Sequence, residues 1–478
     1  MSQIVRIEVI DVLGALTTLI STAYQPQSNT SLSHFGPLKA SNFENQLFLN
    51  LSQSISNIPG REFDTGKQGI VRSFPVNNPN DMTTIRLSPL DNAGFTANRS
   101  PFCPSFNENL HSDIFCPDTA ITAPNDPVIA QDPQDAFPNQ FYSALIRDNR
   151  LFLPNIGAGP EPPVRLNVNV QALVHVVDVP NNVQRRDEHI NLNTQVAAER
   201  RAGNVNGIDG LFGNDLVAID ANCQGTRFLI VSRGGNFVFN AQLDSSGRMD
   251  LQPPNIVRYQ TGNLPNGAVI SNNGTRAYTN NEADLTATVI DLDRNAVIDT
   301  ISSSTPAPPG TCEHFVNVGK LAFHTALGIP DNDIFDTPIR DIVPLDNRNK
   351  ASDNAWGSCA SCHPDGLSDG VTWHFAIGPC QTVPLDTFFA NDNPANQRIS
   401  HWSAVRGSIT DFNNNSRNVQ GGLGFAGEPP NPNIFNHGIT QGASDALDAQ
   451  TLWVEMVRAL NMPPTWQREQ PRQWQRLV

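Results

Sequence analysis

Three stretches in the middle of the chain repeat one pattern: a Gly or Asn turn, a strand led by Arg and an aromatic or Leu, a loop, and a strand closing on Asp. NRLFLP at 149–154 precedes ALVHVVD at 172–178, GTRFLIVS at 225–232 precedes NFVFNAQLD at 236–244, and GTRAYTN at 274–280 precedes TATVIDLD at 286–293. Turn residues that tolerate positive φ, flanked by β-branched strands, predict tight hairpins. Asp-ended strands at regular spacing predict a radial array of small antiparallel sheets, a β-propeller. An irregular β-sandwich that repeats hairpins is the alternative. Composition agrees with either: 37 Pro and 33 Gly in 478 residues, with only 16% charged residues, exclude a coiled coil or an all-helical bundle. The formal net charge of −15 argues against a nucleic-acid partner, because phosphate binding needs a basic surface. No run of eighteen apolar residues is present, so no membrane-spanning helix is expected.

The first residues admit two readings. VLGALTTLISTA at 12–23 has the length of a signal-peptide core, but Glu8 and Asp11 against Arg6 are wrong for its basic leader. IEVIDVLGALTTLIS at 7–21 also parallels ATVIDLDRNAVIDTIS at 287–302, and this reading makes the chain begin in mid-repeat. Residues 75–140, rich in Pro, Asn and Asp, show no period and read as an irregular insertion. The expected division is therefore a propeller over 1–303, a linker over 304–310 (STPAPPG), and a smaller, mostly α-helical domain over 311–478. Within the last, FVNVGKLAFHTALG at 315–328 has helical spacing. A second helix is expected from a Ser444 or Asp445 cap to Leu460, with Leu447, Leu452, Met456, Val457 and Leu460 inward.

WGSCASCHPDG at 356–366 carries the chemistry. In Cys-x-x-Cys-His the thiols of Cys359 and Cys362 add to the vinyl groups of haem, and His363 is thereby placed under the iron as its proximal ligand. Two rival readings use the same residues. Cys359, Cys362, His374 and Cys380 have the spacing of a Cys₃His zinc site, and Cys359 with Cys362 is the spacing of a redox dithiol, although no βαβ unit surrounds it. The other cysteines leave pairing open: Cys103 with Cys116 is the most local loop, and Cys380 is either a thiol or a partner for Cys312.

Two resemblances sharpen this picture. GTRAYTNNEADLTATVIDLDRNAVIDTI, with Tyr278, Thr279, Asn280 and Asn281 at the Tyr-x-x-Asn portion, resembles the repeat of YVTN-type β-propellers. VGKLAFHTALG, CASCHPDG, HFAIGPCQTVPLDTFF and ISHWSAVRG occur in the order of the bacterial di-haem cytochrome c peroxidase family, which includes methylamine-utilisation and rubber-oxygenase relatives. That resemblance covers about residues 316–410 and places His374, Gly378, Pro379, Pro384, His401 and Trp402 at the family's positions after the haem motif. A propeller fused ahead of such a domain is a known architecture. The departure is that this chain has one Cys-x-x-Cys-His where the family has two. After Met462 the sequence loses periodicity, so either the chain is truncated there or this member holds a single haem.

The expected haem contacts are Cys359, Cys362, His363, His374 and Trp402, with His363 and His374 on the iron. His401, Met456 and Met462 are further candidates for the sixth position. Trp356 and Trp373 either wall the haem or pack in the core, and His314 and His324 are expected to satisfy local hydrogen bonds. Two imidazoles would close the iron and leave electron transfer, whereas an open distal face would admit peroxide or oxygen. The reading that follows is an exported c-type cytochrome, periplasmic or at the cell surface, with one covalent haem. It would exchange electrons with a redox partner protein or other cytochromes, using the propeller as scaffold or docking surface. A peroxidase or oxygenase whose second haem domain is missing, and a non-redox propeller with structural zinc, are the alternatives.

Overall fold

The computed structural model describes, with short gaps, residues 67–95, 134–389, 408–425 and 442–457, together with the backbone of strands between residues 3 and 54. The chain is mainly β, in several antiparallel sheets with few helices. Strands β1 (Gln3–Ile10) and β2 (Leu16–Ala23) form a hairpin with Ile10 opposite Leu16. β3 (Gln46–Ser54), β4 (Lys67–Pro75) and β5 (Thr83–Leu87) form a meander, as do β6 (Phe137–Phe141), β7 (Arg150–Ala158) and β8 (Val170–Asp178). After helix α1 (Leu192–Arg201) comes a sheet of β9 (Leu216–Ala221), β10 (Phe228–Ser232), β11 (Phe237–Leu243) and β12 (Arg258–Gln260). The most regular sheet is β13 (Pro265–Ile270), β14 (Arg276–Asn281), β15 (Thr286–Asp291) and β16 (Ala296–Ser302), paired in sequence order.

All three predicted strand pairs are antiparallel neighbours: β7 with β8, β10 with β11, and β14 with β15. The turns are those the residues suggested. Asp148 and Asn149 both take positive φ, 48° and 63°, at the tight turn into β7, and Gly274 does so at 71° ahead of β14. The recurrent Asp has a local task. Asp178 Oδ1 accepts the Asn181 amide at 3.0 Å, Asp244 Oδ1 those of Ser246 and Arg248 at 2.8 and 3.0 Å, and Asp291 Oδ1 those of Asp293 and Arg294 at 3.1 and 3.0 Å. Each carboxylate thus holds the turn that follows its strand. Asp291 also faces its register partner Arg276 in an ion pair of 2.7 Å. The parallel drawn between 7–21 and 287–302 is kept in the backbone, since β1–β2 and β15–β16 are both hairpins.

Within the stretch read as an insertion, β5 pairs with β4, and a bridge between Leu90 and Ala136 leads into β6. Cys103 and Cys116 lie outside the described residues. Residues 304–310 join β16 to helix α2 (Cys312–His324) without regular structure, and strands β17 (Thr372–Phe375) and β18 (Gly378–Gln381) form a small hairpin. Two further helices follow, α3 (Asn413–Asn418) and α4 (Asp445–Met456). Among the described residues no helix is long and apolar enough to cross a membrane.

Both longer C-terminal helices differ from expectation in detail. α2 starts earlier, where Thr311 Oγ1 accepts the His314 amide at 3.2 Å. It stops at His324 rather than running towards Gly328, because Thr325 turns to extended backbone and its hydroxyl receives the Asn236 amide at 3.0 Å. α4 has the expected Ser444 cap but ends at Met456, not Leu460. Its inner face carries Ala446, Leu447, Ala449, Trp453 and Val454, while Met456 is 57% exposed. The small residues matter because α2 and α4 cross closely at Gly319.

The largest core joins the sheets to the later segment: Phe152, Phe212, Phe228 and Phe239 share it with Ala326, Leu327, Trp356, Val371 and Trp373. Two histidines are buried beside it with ring centroids 4.3 Å apart, His175 fully and His189 at 7% exposure. His175 Nδ1 accepts from Asn155 at 3.0 Å and its Nε2 donates to the Ser88 carbonyl at 3.3 Å, which defines a neutral tautomer. Burial lowers His175 well below the ordinary imidazole range and His189 to about 4. The unfolded chain therefore takes up protons below about pH 6.5 that the folded chain refuses. Unfolding free energy is expected to fall from pH 6.5 towards pH 4, by at most about 1.4 kcal/mol per pH unit for each histidine. Urea titrations at pH 7.5, 6 and 4.5 should show this fall, and a H175Q/H189Q variant should show a shallower one. An equally steep profile in that variant would refute the assignment.

Candidate haem-attachment site

Cys359–Ser361 form a single 3₁₀ turn, and the His363 amide donates back to the Cys359 carbonyl at 2.9 Å. This turn is held from several directions. Ser361 Oγ accepts the Ser358 amide at 3.0 Å and the Asn214 side-chain amide at 2.8 Å, and Asn214 also donates to the Trp356 carbonyl at 3.0 Å. Gln140 donates to the Ser361 carbonyl at 2.5 Å. Trp356 is fully buried, with its Nε1 donating to the Val170 carbonyl at 2.7 Å and its ring 3.9 Å from that of Phe212. It is a core residue that pins the motif to strand β8. Trp373 is likewise buried and donates to Asp369 at 3.0 Å.

After His363 the chain turns through Pro364–Gly366, with Asp365 and Gly366 at φ of 50° and 78°. A side chain at residue 366 would meet Val457 and Trp453 at 3.1–3.3 Å, so glycine is needed for space as well as for φ. The turn brings the Leu367 carbonyl 3.2 Å from His363 Nδ1. A carbonyl only accepts, so Nδ1 carries the proton there and the neutral ring presents its lone pair at Nε2, the form that binds a metal. Burial lowers the imidazole to about 4, with the Leu367 and Val383 carbonyls opposing, so His363 is neutral at pH 7.

Cys359 and Cys362 are partly buried free thiols. Burial pushes Cys359 up to about 11, against hydrogen bonds from Gln450 and Gln420, and Cys362 well above its ordinary value. Both are protonated at neutral pH, which is opposite to the depressed pKa a redox dithiol needs for attack. Gln450 on α4 donates to Cys359 Sγ at 3.0 Å. Cys359 also lies against an apolar cluster of Phe323, Ala360, Leu385, Phe388, Trp453 and Val454. Two thiols, a neutral imidazole and an apolar wall are the donor set and surroundings that a covalent haem requires.

His374 stands on β17, opposite Pro379 in the β17–β18 hairpin, and its side chain lies outside the described residues, as do His401, Trp402 and Met462. Met456 is 57% exposed at the end of α4. Cys312 is an exposed free thiol, which excludes a Cys312–Cys380 disulfide. Among the described residues no three His, Cys, Asp or Glu side chains converge on a point that would hold a metal ion. His314 Nε2 meets the Ile334 carbonyl at 3.4 Å and His324 Nδ1 the Lys320 carbonyl at 2.9 Å, as expected of local partners. The supporting residues Gln140, Asn214 and Gln450 were not foreseen. They come from segments far from the motif in sequence and share no spacing with it.

No protein-family model matches the chain, and no curated protein matches it in sequence. Solved structures are similar over parts of the fold. The periplasmic gluconolactonase PpgL of Pseudomonas aeruginosa is 14% identical, with 64% of this chain and 65% of that one covered and a TM-score of 0.32. The β-propeller domain of Swd1 from Myceliophteria thermophila is 6% identical, covering 55% and 57%, with a TM-score of 0.27. Hydrazine synthase of Kuenenia stuttgartiensis is 14% identical, covering 36% and 38%, with a TM-score of 0.24. The chain spans less than two thirds of the length of each.

Proposed function

We propose that the protein is an exported c-type cytochrome that carries one covalently attached haem and transfers electrons. The observation that carries the reading is the Cys359-Ala-Ser-Cys362-His363 turn itself, with His363 Nδ1 on the Leu367 carbonyl and both thiols unpaired. Cys359 and Cys362 would hold the porphyrin through thioethers, and His363, with His374 as the further candidate, would ligate the iron. When bound, the haem supplies a one-electron couple. The chain's own part is to orient and shield. The Leu367 carbonyl holds the proton on His363 Nδ1, and Phe323, Trp453 and Phe388 supply an apolar wall beside Cys359. The sheets are read as YVTN-like propeller blades that serve as scaffold or docking face for a redox partner protein. The haem segment is read as a single-haem member of the di-haem peroxidase family. Haem is joined to this motif outside the bacterial cytoplasm, which gives the periplasm or cell surface as location.

Full-length protein, produced in a bacterial host with a c-type haem maturation system, is expected to be coloured. Its haem should survive acidified-acetone extraction and give the pyridine haemochrome of a doubly thioether-linked group. C359S/C362S should lose the pigment almost entirely. H363A should keep covalent haem and change its spin state. A colourless wild-type protein with stoichiometric zinc would overturn the reading. The ferric protein is further expected to be low-spin and unchanged by hydrogen peroxide. A high-spin spectrum that peroxide alters would replace the carrier with a peroxidase.

A further inference from the structure

Asp369 is fully buried where three parts of the chain meet. Its amide donates to the Cys362 carbonyl at 3.0 Å, which ties it to the Cys-x-x-Cys-His turn. Its Oδ1 accepts the Val371 amide at 2.8 Å and its Oδ2 accepts from Trp373 Nε1 at 3.0 Å. The Thr382 side chain supplies a further hydrogen bond. Trp373 lies on β17, and Val371 and Thr382 flank the β17–β18 hairpin, where the Thr382 amide donates to the Val371 carbonyl at 3.1 Å. The sheets hold the same segment through its main chain. Asn139 on β6 donates to the Asp369 carbonyl at 3.2 Å, and Lys67 on β4 donates through Nζ to the Gly370 carbonyl.

A carboxyl group taken out of water must be met by donors, and here the donors that meet it come from the hairpin. Burial pushes Asp369 up to about 7, with the Val371, Thr382 and Trp373 hydrogen bonds and the Lys67 charge opposing. The group therefore works as a clip. Its backbone fixes it to Cys362, and its side chain fixes the indole of Trp373, which is buried in the large core with Trp356. The residue after Trp373 on β17 is His374, the further candidate for the iron. We infer that Asp369 is a positioning residue, which sets strand β17 against Cys362 and His363 and so determines whether His374 ligates the iron. Partners of this kind, one step removed from a metal's ligands, orient those ligands. The inference rests on the haem reading proposed above.

Ferric absorption and EPR spectra of the full-length, haem-loaded protein at pH 8 test the inference. Wild type is expected to be low-spin, and H374A, the reference for a lost ligand, high-spin. D369A and W373F should each shift the spin equilibrium about tenfold towards high-spin, the effect of losing one hydrogen bond to a charged group. Covalent haem per chain should stay unchanged in both, and added imidazole should restore the low-spin spectrum, which it would not do for a merely loosened fold. W373F keeps an aromatic ring in the core, so it isolates the hydrogen bond if D369A fails to fold. A high-spin wild type, a low-spin H374A, or D369A and W373F as low-spin as wild type would each overturn the inference and leave covalent haem standing. A colourless wild type would overturn the haem reading itself, and the inference with it.

Discussion

Replacing Gly319 by alanine is expected to destabilise the protein by about 3 kcal/mol, although alanine is the better helix former by about 1 kcal/mol. A Cβ at this point of α2 would lie 1.9 Å from the Ala449 carbonyl oxygen and 2.4 Å from its carbon, both backbone atoms of α4. Backbone cannot rotate aside as a side chain can, so the helices must separate and lose the packing of Val318, Leu321, Ala446 and Leu447. The displaced α4 is also the element that supplies Gln450 to Cys359 and Trp453 to the wall beside the motif. Chemical denaturation of G319A should therefore show a lower midpoint, and the environment of the thiols should change with it. A G319A protein as stable as wild type would mean that the two helices are not in backbone contact.

The second large effect is expected at Arg258. Its guanidinium donates to both oxygens of Glu199 at 2.8 and 2.7 Å and to the Leu211 carbonyl at 3.0 Å, and it packs over the Phe237 and Phe239 rings. Both side chains are essentially inaccessible, at 0% and 1% exposure. R258A would leave Glu199 charged and buried with only the Gly210 amide, at 3.1 Å, among the contacts described for its carboxylate. Breaking one side of such a pair costs about 3–5 kcal/mol, while replacing both partners by apolar residues of similar volume can be neutral. R258A should thus be severely destabilised and E199L/R258M should recover most of the loss in urea unfolding. If the double variant is no more stable than R258A, the pair is not the source of the effect.

What the sequence disclosed was local. The β14–β15 strand pair, the Asn149 and Gly274 turns and the Ser444 cap depend on residues a few positions apart or on a period of two, and each stands where it was read. On the inner face of α4, Leu447 is buried as read, but Met456 is not, because apolarity was taken as the sign of burial. The contact with α2 selects small residues, so Ala446 and Ala449 face inward while Met456 faces water. At the proposed site, Cys359, Cys362 and His363 stand out in the sequence because Cys-x-x-Cys-His is a fixed spacing. Gln140, Asn214 and the Leu367 carbonyl are not, since each reaches the motif by folding or through a main-chain atom that any residue possesses.

Trp356, held by the Val170 carbonyl and the Phe212 ring, gives the molecule a property that a linear diagram of domains conceals. The connector at 304–310 marks a change of sequence character, but the solid has no seam there: the tryptophan directly ahead of the cysteines is interior to the sheets. The segment around Cys359 and Cys362 is therefore not an interchangeable cartridge. Moving it to another scaffold would carry away an indole with nothing to close around it. The sheet residues that receive Trp356 and Ser361 are consequently as much a part of this turn as the motif itself.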